Sequence, residues 1–176
     1  MDKIKCGLDL DGCVYKFWEP IKDFIELDGI NVDDHSYDMG LSQEKVKDYL
    51  IGFGKTKPFL WIPMYPGVRE QLGRLSKEMD FYIITHRDWY PEAKEQTLWR
   101  LRQDEIKYKE IKFSNEKALY AKHFGLNCFI EDNLNNARSI AANSRTKVIL
   151  IDRPYNQGNF NINENIIRIK SLDELR

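Results

Sequence analysis

The hydrophobic pattern changes its period several times along the chain. Residues 3–12 read KIKCGLDLDG, an apolar run closed by two aspartates and a glycine. This predicts a buried strand ending near Asp9, with Gly12 permitting a sharp departure. Between 13 and 64 the pattern is irregular. Phe17, Ile21, Phe24 and Ile25 share a helical face that stops at Asp28 and Gly29. Residues 31–40 are polar and turn-rich, and Ser42 opens a second helix carrying Val46, Tyr49 and Leu50 toward Gly52. FGKTKP then breaks the regularity, and FLWIPMYP is an apolar run interrupted by prolines.

From Pro66 onward helices and strands alternate. Pro66 starts a helix with the stripe Val68, Leu72, Leu75 and Met79. FYIIT at 81–85 has the composition of a strand buried on both faces of a parallel sheet. A helix from near Pro91 turns Ala93, Thr97, Leu98 and Leu101 inward, and 109–113 is a weaker strand. Ser114 caps a helix running through Leu119 and Phe124 to Gly125. Cys128-Phe-Ile is a strand closed by Glu131 and Asp132, and the next helix buries Leu134, Ala137, Ile140 and Ala141. KVILID at 147–152 is a further strand; the loop RPYNQGNFN leads to a last short strand and helix from 166 to 176. Such alternation predicts an α/β fold, a doubly wound parallel sheet with right-handed crossovers.

Composition narrows the picture only modestly. A chain of 176 residues accommodates one α/β domain with a small insertion. Its 31% charged residues nearly cancel to a net charge of −1, which leaves no broad basic surface for non-specific nucleic-acid binding. No apolar run approaches the roughly 18 residues of a membrane span, and no secretory signal is expected. Three cysteines without a C-x-x-C pair fit a reduced, cytoplasmic protein.

In doubly wound sheets ligands bind beyond the carboxyl ends of the strands. Asp9 with Asp11, Thr85, and Glu131 with Asp132 each close a predicted strand, so all converge on one sheet edge. Two acids side by side repel unless a cation or a shared proton holds them. D-x-D also opens an EF-hand loop. The Gly and Glu needed at its positions 6 and 12 are Val14 and Pro20 here, which excludes calcium-loop chemistry.

Taken in order, these residues resemble the four motifs of the haloacid-dehalogenase-like (HAD) phosphohydrolases. The motifs are DLDG at 9–12, IITHR through Thr85 to Arg87, Lys117, and IEDN with Glu131 and Asp132. The resemblance implies a Rossmann-like core of residues 1–14 and 66–176. A small, mainly helical cap, residues 15–65, is inserted after the first strand and sits over its tip. Less specifically, YKFW, ITHRDW and IDRPYN are similar to the small 5'-nucleotidase branch that includes the 5'(3')-deoxyribonucleotidases.

Hydrolysis of a phosphate monoester needs a nucleophile, a proton for the leaving oxygen and stabilisation of charge. A carboxylate at Asp9 can attack phosphorus and form an aspartyl-phosphate. Asp11 can protonate the leaving alkoxide and then take a proton from water. Mg²⁺ bound by carboxylates would let the acids coexist. The resemblance assigns this ion to an oxygen of Asp9, the backbone carbonyl of Asp11 and the side chain of Asp132, with Glu131 reaching it through water. Phosphate binding falls to Thr85, to His86 through its backbone amide, and to Lys117, whose point charge also faces Asp9. Arg87 either supports the site from behind or contacts the substrate phosphate.

The rings of Tyr15, Phe17, Trp18, Trp61 and Tyr65 either pack the cap or stack a nucleobase, the latter at about 1–3 kcal/mol per base. The expected substrate is a small phosphate ester, a nucleoside monophosphate and a deoxyribonucleotide ahead of a sugar phosphate. A polynucleotide 3'-phosphatase, a general small-molecule phosphatase and a non-enzymatic phosphate-binding module stay open. Retention of both Asp9 and Asp11 argues against the last. No membrane association and no stable nucleic-acid complex are expected; a homodimer is left open.

Overall fold

Six strands, β1 (Ile4–Leu8), β2 (Met79–Thr85), β3 (Glu110–Phe113), β4 (Cys128–Glu131), β5 (Lys147–Ile151) and β6 (Ile166–Ile169), form one sheet in a computed structural model. The structure describes residues 2–33, 38–56, 60–88, 90–157 and 164–175. The strand order is β3-β2-β1-β4-β5-β6, and every pairing is parallel. From β1 the chain winds outward through β2 and β3, then returns to place β4, β5 and β6 on the other side. The winding therefore reverses between β1 and β4. Crossover helices diverge at such a point and open a crevice at the carboxyl ends of the two strands. Asp9 and Asp132 lie directly past those two ends.

Alternating side chains separate the two faces of the sheet, as strand geometry requires. Leu8, Phe81, Ile83, Ile130, Ile149 and Ile151 pack with helices α3 (Val68–Leu75) and α4 (Ala93–Gln103) on one face. Ile84, Phe129, Val148 and Leu150 pack with α5 (Lys117–Phe124) and α6 (Leu134–Asn143) on the other. Gly7 makes this second packing feasible, because a Cβ there would stand 2.3 Å from the Phe129 ring.

Among the described residues, helices α1 (Trp18–Glu26) and α2 (Gln43–Gly54) lie between β1 and α3. The Ser42 hydroxyl accepts from the Lys45 amide at the start of α2. The chain leaves and returns through a narrow neck. Lys16 donates to the Pro63 carbonyl and Tyr65 to the Val14 carbonyl, and Tyr15 bridges Met64 in antiparallel fashion.

Three local expectations are corrected. Met79 is not the end of the helical stripe; it begins β2, paired with Ile4. The turn through Lys77 and Glu78 intervenes, with both amides bonded back to α3. Ser114 does not cap α5 directly. Its hydroxyl accepts from the Glu116 amide, and the helix begins at Lys117. The terminal helix is a single 3-10 turn, Leu172–Glu174. Phe59, Trp89 and the end of the loop after β5 lie outside the described residues.

Candidate active site

Asp9 extends the β1–β4 ladder by one bond, its amide donating to the Ile130 carbonyl at 3.0 Å. Its carboxylate thus emerges at the sheet edge, where Lys117 meets it. Lys117 Nζ lies 2.8 Å from Asp9 Oδ2 and 2.8 Å from Glu131 Oε2, with only 4% of its side chain exposed. Glu131, the last residue of β4, spends its other oxygen on the start of α6. Oε1 accepts from the Asn133 amide at 3.0 Å and from Asn136 Nδ2 at 3.4 Å. Asn133 in turn caps α6 by accepting from the Asn135 and Asn136 amides. Both Glu131 oxygens are therefore taken by protein donors.

Asp132 is equally buried but differently served. The Tyr155 hydroxyl donates to Oδ2, whereas Oδ1 has no hydrogen-bond partner among the described residues. Thr85, at the end of β2, has a buried hydroxyl in the same condition. Removing a carboxylate from water without compensation costs on the order of several kcal/mol. One ammonium shared by Asp9 and Glu131 leaves Asp132 with no ion pair among the described residues. Burial pushes Asp9 up to about 7 against the opposing pull of Lys117, and Glu131 and Asp11 add to the rise. Burial likewise pushes Asp132 well above the carboxylate range, reinforced by Glu131 and Asp9.

Gly12 is what lets the loop after β1 approach this closely. Its φ is +75°, and a Cβ would stand 1.9 Å from Asp132 Oδ2. The turn it makes brings Cys13 to the same place. Asp9, Cys13 and Asp132 offer ligand atoms within 4.8 Å of one another. A donorless oxygen beside a second desolvated carboxylate suits a small, hard dication.

Asp11 points elsewhere. The Arg87 guanidinium holds both of its oxygens, with Nε at 3.1 and 2.9 Å and Nη2 closing the pair. Arg87 is itself buried, over the rings of Tyr15 at 5.1 Å and Phe17 at 5.7 Å. Tyr15 is anchored by donating its hydroxyl to Asp104 at 2.9 Å, a carboxylate also held by Arg100 and Arg69. An aromatic floor thus fixes where the guanidinium can reach.

The family model for 5' nucleotidase, deoxy (pyrimidine), cytosolic type C protein matches residues 30–175. The chain belongs to this family. It is a phosphatase of the HAD superfamily, whose hydrolases typically use a divalent metal. Solved structures of other hydrolases share its fold. A haloacid dehalogenase-like hydrolase from Streptococcus pneumoniae is 17% identical, with 85% of each chain covered and a TM-score of 0.62. The HAD hydrolase YfnB from Bacillus subtilis, solved bound to magnesium, is 14% identical over 99% of this chain and 97% of its own, with a TM-score of 0.65. A haloacid dehalogenase-like hydrolase from Xanthomonas campestris is 14% identical over 97% and 92%, with a TM-score of 0.61. No curated protein matches.

For this nucleotidase-family chain, the remaining expected residues scatter. The His86 side chain is exposed, its Nε2 3.5 Å from Asp88 Oδ1. Phe17 is buried beneath Arg87; Trp18 is half-buried and packs edge-on against Phe17 and Tyr155. Trp61 stands apart, 65% exposed and edge-on to Trp99 of α4. Four residues enter to which sequence reasoning assigned no role in the site: Cys13 and, within the IDRPYN segment, Arg153, Tyr155 and Asn156. Arg153 Nε donates to the Gly12 carbonyl at 2.8 Å with its guanidinium 4.0 Å from the Tyr65 ring centre. Asn156 donates to the Asp132 carbonyl at 2.6 Å. The strand-end rule applied to β5, which closes on RPYN, would have found the last three.

Proposed function

We propose that this phosphatase is a Mg²⁺-dependent 5'-nucleotidase acting on nucleoside monophosphates through an aspartyl-phosphate at Asp9. The observation that carries the reading is the pairing of Asp9 with Lys117 at a sheet edge that also holds two buried oxygens without a hydrogen-bond partner among the described residues, Asp132 Oδ1 and Thr85 Oγ1. Asp9, Asp132 and the Asp11 carbonyl would hold Mg²⁺, which supplies charge neutralisation for the phosphoryl group. Glu131 serves this site through Lys117, since its own oxygens are occupied.

An Asp9 oxygen bonds to phosphorus as the ester P–O bond breaks, and Asp11, turned from Arg87 toward the substrate and carrying a proton, gives that proton to the departing alkoxide. Water then attacks phosphorus, passes a proton back to Asp11 and releases inorganic phosphate, which regenerates the Asp9 carboxylate. Lys117 offsets charge on Asp9 and the phosphoryl oxygens, Thr85 Oγ1 and the His86 amide donate to those oxygens, and Arg87 orients the Asp11 carboxylate. Residues 15–65 act as a cap hinged at the neck where Lys16 meets Pro63 and Tyr65 meets Val14. A cap over a single site admits a small monoester, and the family adds a nucleotide to that expectation. The same family supports a cytosolic location; no helix among the described residues is long and apolar enough to cross a membrane.

One observation favours a broader phosphatase. Tyr15 and Phe17 are buried and Trp61 packs against Trp99, which leaves Trp18 and Tyr65 of the five expected rings for a base. Phosphate release from dUMP, dTMP, dGMP and glucose 6-phosphate, with and without Mg²⁺, separates the readings. A nucleotidase turns over at least one nucleotide well ahead of the sugar phosphate, and only with the ion. Equal kcat/KM for glucose 6-phosphate rejects the nucleotide assignment, and full activity in chelator rejects the metal.

A further inference from the structure

We propose that Cys13 equips the acid pocket with a soft ligand, so that a thiophilic dication such as Zn²⁺ or Co²⁺ binds through Cys13 Sγ, Asp9 and Asp132. Such an ion competes there with the hard one. Cys13 is fully buried, and the Gly12 turn carries it back against the acids rather than outward. Its sulfur and one oxygen from each aspartate lie within 4.8 Å of one another. A tetrahedral Zn²⁺ with one sulfur and two oxygen ligands holds them about 3.5 Å apart, so side-chain shifts of about 1 Å close the set. Independently of the thiol, Asp132 Oδ1 is buried without a hydrogen-bond partner among the described residues.

Ligand type then decides selectivity. Mg²⁺ takes oxygen ligands and strict octahedral geometry, and a thiol adds nothing to its binding. Zn²⁺ and Co²⁺ accept thiolate and carboxylate together and bind mixed sites more tightly than Mg²⁺. Binding exchanges the thiol proton for a metal–sulfur bond and displaces any proton held on Asp9 or Asp132, with no change of oxidation state. The phosphatase is therefore slowed by Zn²⁺ and recovers when a chelator removes it. The inference shares Asp9 and Asp132 with the reading above, but its test observes the metal–sulfur bond itself.

Purified full-length protein, freed of Mg²⁺, is titrated with Co²⁺ and followed by absorption. The expected result is a near-ultraviolet sulfur-to-cobalt charge-transfer band saturating at one ion per chain and bleached by excess Mg²⁺. Cys13→Ser should lose the band while its far-ultraviolet circular dichroism is unchanged. The double variant Cys6→Ala/Cys128→Ala should keep it, because those two thiols are register neighbours across β1 and β4 and form the competing dithiol. A band that persists in Cys13→Ser, or disappears in the double variant, overturns the proposal; the latter arm decides even if Cys13→Ser fails to fold. Co²⁺ binding without the band, or no binding, also overturns it. Either result leaves Mg²⁺-dependent phosphate release to be judged separately.

Discussion

The sheet edge and the inserted segment treat their conspicuous residues in opposite ways. At the sheet edge, Asp9, Thr85, Lys117 and the adjacent Glu131 and Asp132 come from four places in the chain and are all buried. Four of them touch or repel one another directly. In the inserted segment, neighbouring aromatics separate: Tyr15 and Phe17 go inward under Arg87, Trp18 reaches Tyr155, and Trp61 faces solvent. Parallel strands share one direction, so their ends coincide by topology. A ring's direction in a short helix or neck depends on what packs against it. A motif at a strand end therefore locates chemistry, while an aromatic count does not.

Asp9→Asn tests the sheet edge most severely. Turnover should vanish with the thermal midpoint and circular dichroism retained, and more than trace phosphatase activity in the purified variant would remove Asp9 as nucleophile. Asp11→Asn should cost roughly 10²–10⁴-fold in kcat with a poor leaving group. An unchanged rate there takes Asp11 out of the proton transfers. Tyr155→Phe deletes the donor to Asp132 Oδ2, and loss of a supporting bond to a ligand typically costs about 10–100-fold in metal affinity. Titrating activity with Mg²⁺ reads this as a shifted half-saturation at an unchanged plateau; an unshifted curve means Asp132 is positioned without Tyr155.

The raised carboxyls give a thermal test with a definite sign. Asp9, at about 7 folded against 3.8 unfolded, binds its proton more tightly in the native state, and Asp132 shifts the same way. The contribution of Asp9 to stability is thus present below pH about 4 and lost as pH rises through about 7, and that of Asp132 changes with pH in the same direction. Added Mg²⁺ binds the ionised form, so its gain in melting temperature should be larger at pH 8 than at pH 5. A gain independent of pH contradicts the desolvated site. The smallest effect is expected in the inserted segment. Trp61→Ala should leave kcat/KM for the best nucleotide within about twofold, as an exposed side chain away from special contacts does. A large loss would place Trp61 over the substrate and narrow the contrast between the two regions.

Much of the architecture was legible before any coordinates. Strand period, turn glycines and alternation with helices marked the strands, and three of their ends, at Asp9 and Asp11, at Thr85, and at Glu131 and Asp132, carried acids or a hydroxyl in plain view. Those signals are local, which is why they survive reading one residue at a time. Lys117 could be told from Lys112 and Lys122 only by position in its turn. In the fold, Lys112 pairs with Glu110 on the surface, while Lys117 is drawn between two buried acids.

Glu131 and Asp132 show what sequence left open. Adjacent in the chain and both buried, they differ because Lys117 and the start of α6 occupy one, while Tyr155 serves only half of the other. Cys13 was an incidental thiol until the Gly12 turn folded it against Asp9 and Asp132. Arg87 meets Asp11 over the ring of Tyr15, which Asp104 anchors from 89 positions away. Periodicity along the chain determined which residues would stand at the sheet edge. Their partners were decided by tertiary packing, because a side chain's charge and direction depend on neighbours that can lie a hundred or more positions away, as Arg153 does from Gly12.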